Sequence, residues 1–135
     1  MDGNYLPTDY QSFIHKSRYA RWLDTEGRRE SWHETVSRYI IELRKIDGLD
    51  TDTRKELYDA IISLQVMPSM RAMMTAGPAL DRDNTAGYNC SYLPVDDPKS
   101  FDEAMFILLC GTGVGFSVER QYISKLPEVP TMFDS

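Results

Sequence analysis

Tyr88-Asn89-Cys90-Ser91-Tyr92-Leu93-Pro94-Val95, then Ser100-Phe101-Asp102-Glu103-Ala104-Met105-Phe106-Ile107-Leu108-Leu109-Cys110, then Gly111-Thr112-Gly113-Val114-Gly115-Phe116-Ser117-Val118, is the stretch that decides the fold. The first segment is aromatic and apolar enough for a strand, and Pro94, which lacks an amide proton, places its far end at an edge or exit. In the second, Ser100 and Glu103 have capping-box spacing, and Phe101, Ala104, Met105 and Leu108 fall on one helical face, predicted to point inward. The glycine run then turns into a second strand over Val114–Val118. A right-handed crossover of this kind makes the two strands parallel. Two short parallel strands cannot complete a sheet, because both outer edges need partners. The sequence from Pro127 to Ser135 supplies none, so the unit is expected to belong to a larger assembly or chain.

Upstream, the first dozen residues contain Pro7 and many polar groups and read as an extended arm. Tyr19 to Gly27 forms a short aromatic patch before a glycine turn, with Trp22 as its packing anchor. From Arg28 to Lys45, Trp32, Val36, Ile40 and Leu43 draw one helical stripe, closed by Gly48. A second helix is predicted from Thr53, paired with Glu56 in a capping box, with Leu57, Ala60, Ile61 and Leu64 on its apolar face and Pro68 beyond its end. The two form a helical hairpin. After residue 68 the character changes: Met70, Met73 and Met74 precede Gly77-Pro78 and the turn-prone run 81–84. These methionines fill irregular core space, or Thr75-Ala76-Gly77 offers a hydroxyl and amides to an oxyanion. The expected division is therefore 1–68, mainly helical, and 69–135, the start of an α/β domain.

A chain of 135 residues with 41% hydrophobic content fits one modest core. The net charge of −6 and pI near 4.8 disfavour direct nucleic-acid binding, which needs concentrated cations. Lysines and arginines do gather between Lys16 and Lys45, but Asp24, Glu26, Glu30, Glu34 and Glu42 lie among them, as on a salt-laced helical surface. Met1 to Tyr5 lacks the basic start and apolar run of a signal peptide, and no stretch is long enough to span a membrane. A reducing, cytoplasmic setting is the expectation. Cys90 and Cys110 lack zinc spacing, and His15 and His33 are remote from both, so no metal site is expected.

Cys90 has two readings at this level, a buried strand cysteine or a redox thiol. A disulfide to Cys110 would close a loop of about twenty residues, worth roughly 3 kcal/mol by chain entropy. Cys110, at a helix end whose sheet side is already occupied by Met105 and Leu108, reads instead as a small hydrophobe. The glycines at 111, 113 and 115 lack the lysine of a phosphate loop and precede a strand, where a dinucleotide fingerprint follows one. They permit close approach, either of a neighbouring strand or of a nucleotide. Arg71 and Arg120 are candidates for phosphate contacts or for pairing with the abundant acids.

Taken together, several ordered motifs resemble the N-terminal portion of a class II, adenosylcobalamin-dependent ribonucleotide reductase. They are Tyr19-Ala20-Arg21-Trp22, Gly27-Arg28-Arg29-Glu30, Glu34-Thr35-Val36-Ser37-Arg38-Tyr39, Met67-Pro68-Ser69-Met70-Arg71, Thr75-Ala76-Gly77, Asn89-Cys90 and Gly111 to Val118. The resemblance implies a ten-stranded α/β barrel, begun but not finished by this chain, in which a thiyl radical removes the 3′ hydrogen of a ribonucleotide. The 2′ hydroxyl then leaves as water while two other cysteines supply electrons. It makes Cys90 one of that reducing pair, facing the barrel interior, with its partner on a strand outside this chain. Ser69, Thr75, Asn89, Gly113 and Gly115 become candidates for substrate binding.

The same resemblance implies adenosylcobalamin in the complete enzyme, a ribonucleoside di- or triphosphate substrate, an external dithiol reductant such as thioredoxin, and a remaining barrel fragment or a homodimer as partner. No residue here is assigned to the cofactor. The chain has no Asn-Pro-Cys-like radical loop, and its short stretch between Val95 and the glycine run is similar to members without the long insertion of the monomeric triphosphate reductases. By itself it is expected to be inactive. The competing account is a non-catalytic module that binds nucleotide or associates with the remaining reductase.

Overall fold

The computed structural model describes residues 6–129; the predicted start of the extended arm at 1–5 and the tail at 130–135 lie outside them. Two compact units make up the chain, Met1–Gly87 and Tyr88–Ser135.

The first unit is helical. α1 (Asp9–Ile14) occupies what the sequence suggested was an arm: Thr8 caps it in a reciprocal box with Gln11, and a π-helical turn, His15–Tyr19, continues it. Next comes a minimal antiparallel hairpin, β1 (Trp22–Leu23) with β2 (Arg28–Arg29), turned at Gly27 with φ of 62°. Trp22 is exposed there rather than anchoring the core. α2 (Trp32–Glu42) therefore begins four residues later than the apolar stripe suggested, because Arg28 and Arg29 are used in the hairpin and Ser31 and Glu34 form the capping box. A 3-10 turn, Leu43–Lys45, follows.

α3 (Thr51–Ile62) is capped by Asp50, whose carboxylate accepts the Thr53 amide at 2.7 Å; Thr53 is inside the helix, not at its cap. The helix ends well before Pro68, at Ser63 and the left-handed Leu64 (φ 62°). The helical hairpin holds: Trp32 and Val36 of α2 pack with Ile61 of α3, and the indole donates to the Ile62 carbonyl at 3.2 Å.

The fourth member of this core is Met73, fully buried on α4 (Met70–Thr75). Burying such a side chain stabilises by about 2–3 kcal/mol. It ties residues 69–87, including α5 (Pro78–Arg82), to the helical unit, so the compact boundary lies after Gly87 and not at the compositional change after 68. Met70, by contrast, is exposed.

The second unit is the predicted strand, helix and strand. β3 (Cys90–Pro94) pairs in parallel with β4 (Gly113–Ser117), from Cys90 opposite Gly113 to Pro94 opposite Ser117. Between them runs α6 (Lys99–Leu109), whose N-cap is Pro98; Asp97 accepts the Lys99 amide, and Ser100 is buried within the first turn instead of capping it. The short α7 (Arg120–Ile123) follows β4.

Among the described residues of this unit, Leu93 and Val95 are the buried apolar ones. Phe101, Met105 and Leu108, expected to face inward, are exposed, as are Phe106, Leu109, Phe116 and Val118. A two-stranded sheet is too narrow to cover the apolar residues of a three-turn helix. Among the described residues, no helix is long and apolar enough to cross a membrane.

Candidate functional site

The parallel register fixes what surrounds Cys90. Side chains alternate along a strand, and in-register neighbours point to the same face. Cys90 and Tyr92 therefore share a face with Gly113 and Gly115, whereas Ser91, Leu93 and Val114 belong to the other. The first face is exposed at all four positions, and the Cys90 thiol is free. The expectation of an interior-facing sulfur is thus not met within this chain, since two strands enclose nothing.

The Asn89 amide Nδ2 donates to the Cys90 Sγ at 3.6 Å. Three backbone ties hold this end of the sheet. Gly113 donates its amide to the Asn89 carbonyl at 3.0 Å, Ser91 donates its hydroxyl to the Gly113 carbonyl at 3.0 Å, and the buried Thr112 hydroxyl donates to the Tyr88 carbonyl at 2.9 Å. Gly111, with φ of 86°, makes the turn out of α6 that delivers Thr112.

The glycines at 113 and 115 are not demanded by local packing. A Cβ on Gly113 would lie 3.4 Å from the Asn89 carbonyl oxygen and 3.9 Å from Cys90 Sγ. One on Gly115 would lie 3.6 Å from both the Ser91 carbonyl oxygen and Tyr92 Cδ2. These are ordinary contacts, neither residue has a positive φ, and glycine inside a strand is unfavourable. The result is a strip of bare backbone next to the thiol.

Asn89, Cys90, Gly113 and Gly115 are thus gathered at one end of one sheet. Ser69 and Thr75 belong to the first unit. Ser69 caps α4 through the Ala72 amide, at 3.5 Å. Thr75 is buried and donates its hydroxyl to the Arg71 carbonyl at 2.6 Å, while the amides of Ala76 and Gly77 go to the Ala72 carbonyl and Glu42 Oε2. The oxyanion cradle suggested for 75–77 therefore has its donors already engaged. Arg120 opens α7, and Cys110, half-buried, ends α6.

The sequence reading missed a buried polar network in the first unit. Arg38 donates to both oxygens of Glu30, at 2.8 and 2.9 Å, and to the carbonyls of Met73 (2.7 Å), Ala76 (2.9 Å) and Tyr19 (3.2 Å). Glu30 also accepts from the Arg21 amide and the Thr35 hydroxyl, and Thr35 meets His15 Nε2 at 2.9 Å. Burial pushes the Glu30 carboxyl up, but the Arg38, Arg21 and Thr35 hydrogen bonds outweigh it and hold the group below its usual range. Burial, with Lys16 beside it, lowers His15 to about 4. The sequence carried no signal for it beyond the presence of opposite charges at Glu30 and Arg38.

Neither histidine suits a cobalt ligand. His15 is enclosed by Thr35 and the edge-on Trp32 ring, and His33 meets Tyr58 edge-on. Among the described residues, no three His, Cys, Asp or Glu side chains gather to hold a metal.

Comparison with known proteins was made against this geometry. The family model described as the ribonucleotide reductase alpha domain matches residues 4–78. The adenosylcobalamin-dependent ribonucleoside-triphosphate reductase of Lactobacillus leichmannii is 28% identical over 153 residues, covering 89% of this chain and 21% of its own length. The protein of the same name from Lacticaseibacillus paracasei is 31% identical over 159 residues with the same coverage. Among solved structures, a B12-dependent (class II) ribonucleotide reductase crystal structure superposes with a TM-score of 0.76 at 26% identity, covering 91% of this chain and 22% of that one. The chain thus spans about a fifth of the length of these relatives. Both alignments are longer than the 135 residues available here, so each relative carries residues with no counterpart in this chain.

Proposed function

Because the chain belongs to the ribonucleotide reductase alpha domain family, we propose that it is the opening part of an adenosylcobalamin-dependent ribonucleotide reductase, with Cys90 as one of the two cysteines that reduce the substrate. In that role two thiols become one disulfide: the two electrons and two protons they release convert the ribonucleotide C2′–OH into C2′–H and water. By the family resemblance the second thiol belongs to a later strand of the complete enzyme, and Cys110, at the end of α6, is given no redox role. An external dithiol such as thioredoxin then restores the pair.

The observation that carries the reading is the unfinished sheet. Among the described residues, β3 and β4 pair only with each other and the apolar residues of α6 are exposed, as expected of the first two strands of a ten-stranded barrel. Gly113 and Gly115 leave the backbone beside the thiol open to a ribonucleoside di- or triphosphate, with Asn89 orienting the sulfur. Ser69, exposed at the start of α4, is assigned to the phosphorylated end, and Thr75 to holding that turn rather than donating to substrate. The radical-bearing cysteine is assigned to sequence beyond these residues.

The test is reconstitution. The chain alone should form no deoxynucleotide. Combined with the remaining reductase sequence, adenosylcobalamin and a dithiol, it should turn over, and Cys90→Ser should abolish net product while leaving nucleotide binding intact. Undiminished turnover by Cys90→Ser overturns the assignment. Nucleotide binding without turnover in the assembled enzyme favours the non-catalytic module.

A further inference from the structure

Resting on the reading of Cys90 as a substrate-facing thiol, we infer that Tyr92 is the wall against which the ribose ring is held, a specificity-setting contact to the sugar. Tyr92 lies two residues from Cys90 on the same strand face, about 6.5 Å along the strand. That span accommodates one five-membered sugar ring. Tyr92 is 65% exposed on that face.

The ring leans towards β4. Its Cδ2 lies 3.6 Å from where a Gly115 Cβ would stand, an ordinary van der Waals contact, and both glycines remain exposed beside it. The open patch is therefore bounded. Cys90 Sγ lies on its β3 side, the Tyr92 ring closes one end along the strand, and Asn89, whose Nδ2 meets the sulfur at 3.6 Å, closes the other.

A thiol that must act at one carbon of a sugar needs the ring fixed, and an aromatic face supplies a rigid apolar surface for its C–H groups at little cost in side-chain entropy. The base and the phosphates project away from the ring atoms nearest the sulfur. The contact therefore falls on the part common to all four ribonucleotides.

Steady-state kinetics of the complete reductase with Tyr92→Ala and Tyr92→Phe, on each of the four ribonucleotides, tests this. Tyr92→Ala should lower kcat/KM by roughly 10- to 100-fold, to a similar extent for every base, because a displaced sugar loses its alignment. Tyr92→Phe, which keeps the ring, should retain the wild-type value. Unchanged kcat/KM in Tyr92→Ala overturns the inference, whether or not the melting temperature falls. A loss confined to one or two bases also overturns it, since the ring would then read the base.

If Tyr92→Ala does not fold, Gly113→Ala decides. It places a methyl group in the patch 3.9 Å from Sγ and should lower kcat/KM with an unchanged melting temperature; full activity overturns the inference. Cys90→Ser separates the two readings. Retained turnover there removes the proposed function itself, while lost turnover there with a fully active Tyr92→Ala removes only the role of Tyr92.

Discussion

Arg38 and Glu30 meet through two parallel hydrogen bonds, Nε to Oε1 at 2.8 Å and Nη2 to Oε2 at 2.9 Å, with both side chains largely withdrawn from solvent. The guanidinium plane is filled on its other edge by the carbonyls of Met73 and Ala76. One α2 side chain thus joins the β2 exit to the end of α4. The fork geometry of arginine makes this possible, and lysine cannot reproduce it.

Arg38→Ala should accordingly destabilise the chain by about 3–5 kcal/mol, since it strands a buried carboxylate together with carbonyl groups. Glu30→Gln, which leaves an acceptor in place, should cost less, and Arg38→Lys should not restore the wild-type value. Urea unfolding followed by the fluorescence of the buried Trp32 provides the measurement. Equal midpoints for Arg38→Ala and wild type would show that the network contributes nothing to folding.

Acid should weaken the same region in two stages. His15 is held at about 4 against an unfolded value of 6.5, so the unfolded chain takes up the proton first. The stability tied to neutral His15 is complete above pH 6.5 and is lost as pH falls towards 4. Lys16 and Arg38 press in the same direction, and Glu30 opposes them. Glu30, held below 4.5, adds stability present above its unfolded value and lost as pH falls through its lower folded one. In His15→Gln the fall in urea midpoint between pH 6.5 and 4 should flatten, and the steeper loss below 4.5 should persist. A variant with the wild-type slope in the upper window would remove His15 from the account.

What could be read from residues alone follows from how local each feature is. The stripe of Trp32 and Val36 and the apolar face containing Ile61 repeat within a few residues, so the helical hairpin was visible. The parallel pairing of β3 and β4 followed from the handedness of one crossover. The hairpin at 22–29 has two-residue strands, too short to show a period. Thr53 was read as the cap of α3, but Asp50 caps it by accepting the Thr53 amide, a contact that the Thr53/Glu56 spacing does not reveal. The Arg38 network was hidden because its carbonyl partners lie 35 and 38 residues away and carry no side-chain signature. The exposure of Cys90 was not legible, because it follows from the register that puts the thiol on the uncovered face of a two-stranded sheet.

Glycines at 77 and at 113 should behave in opposite ways. Gly77 has φ of 95° and ψ of −132°, a region closed to other residues, and its absent Cβ faces Arg38 Cδ at 3.7 Å. Gly77→Ala should cost roughly 1–3 kcal/mol and disturb the Glu42 contact to its amide. Gly113→Ala and Gly115→Ala should leave chain stability unchanged, because nothing local crowds either position. Thermal melts of the three variants separate strain in the backbone from space kept for a ligand. A Gly113→Ala chain as damaged as Gly77→Ala would assign that glycine to folding.

The two thiols should also part company. Cys90 lies exposed on an open sheet face, whereas Cys110 is half-buried where α6 ends, its amide tied to the Phe106 carbonyl at 3.1 Å. A disulfide reagent added to the native chain should titrate one thiol quickly and the second slowly, with both reacting at one rate in denaturant. Cys90→Ser should delete the fast phase alone and leave the melting temperature unchanged, because the sulfur is exposed and a serine hydroxyl can still accept from the Asn89 amide. Cys110→Ser should delete the slow phase and lower stability, since it places a hydroxyl where a weakly polar sulfur packs at the turn into β4. The assembled enzyme then distinguishes chemistry from packing. A loss of turnover in Cys110→Ser that exceeds its loss of folded protein would make Cys110 a redox participant, and the division of labour argued for these two cysteines would have to be reversed.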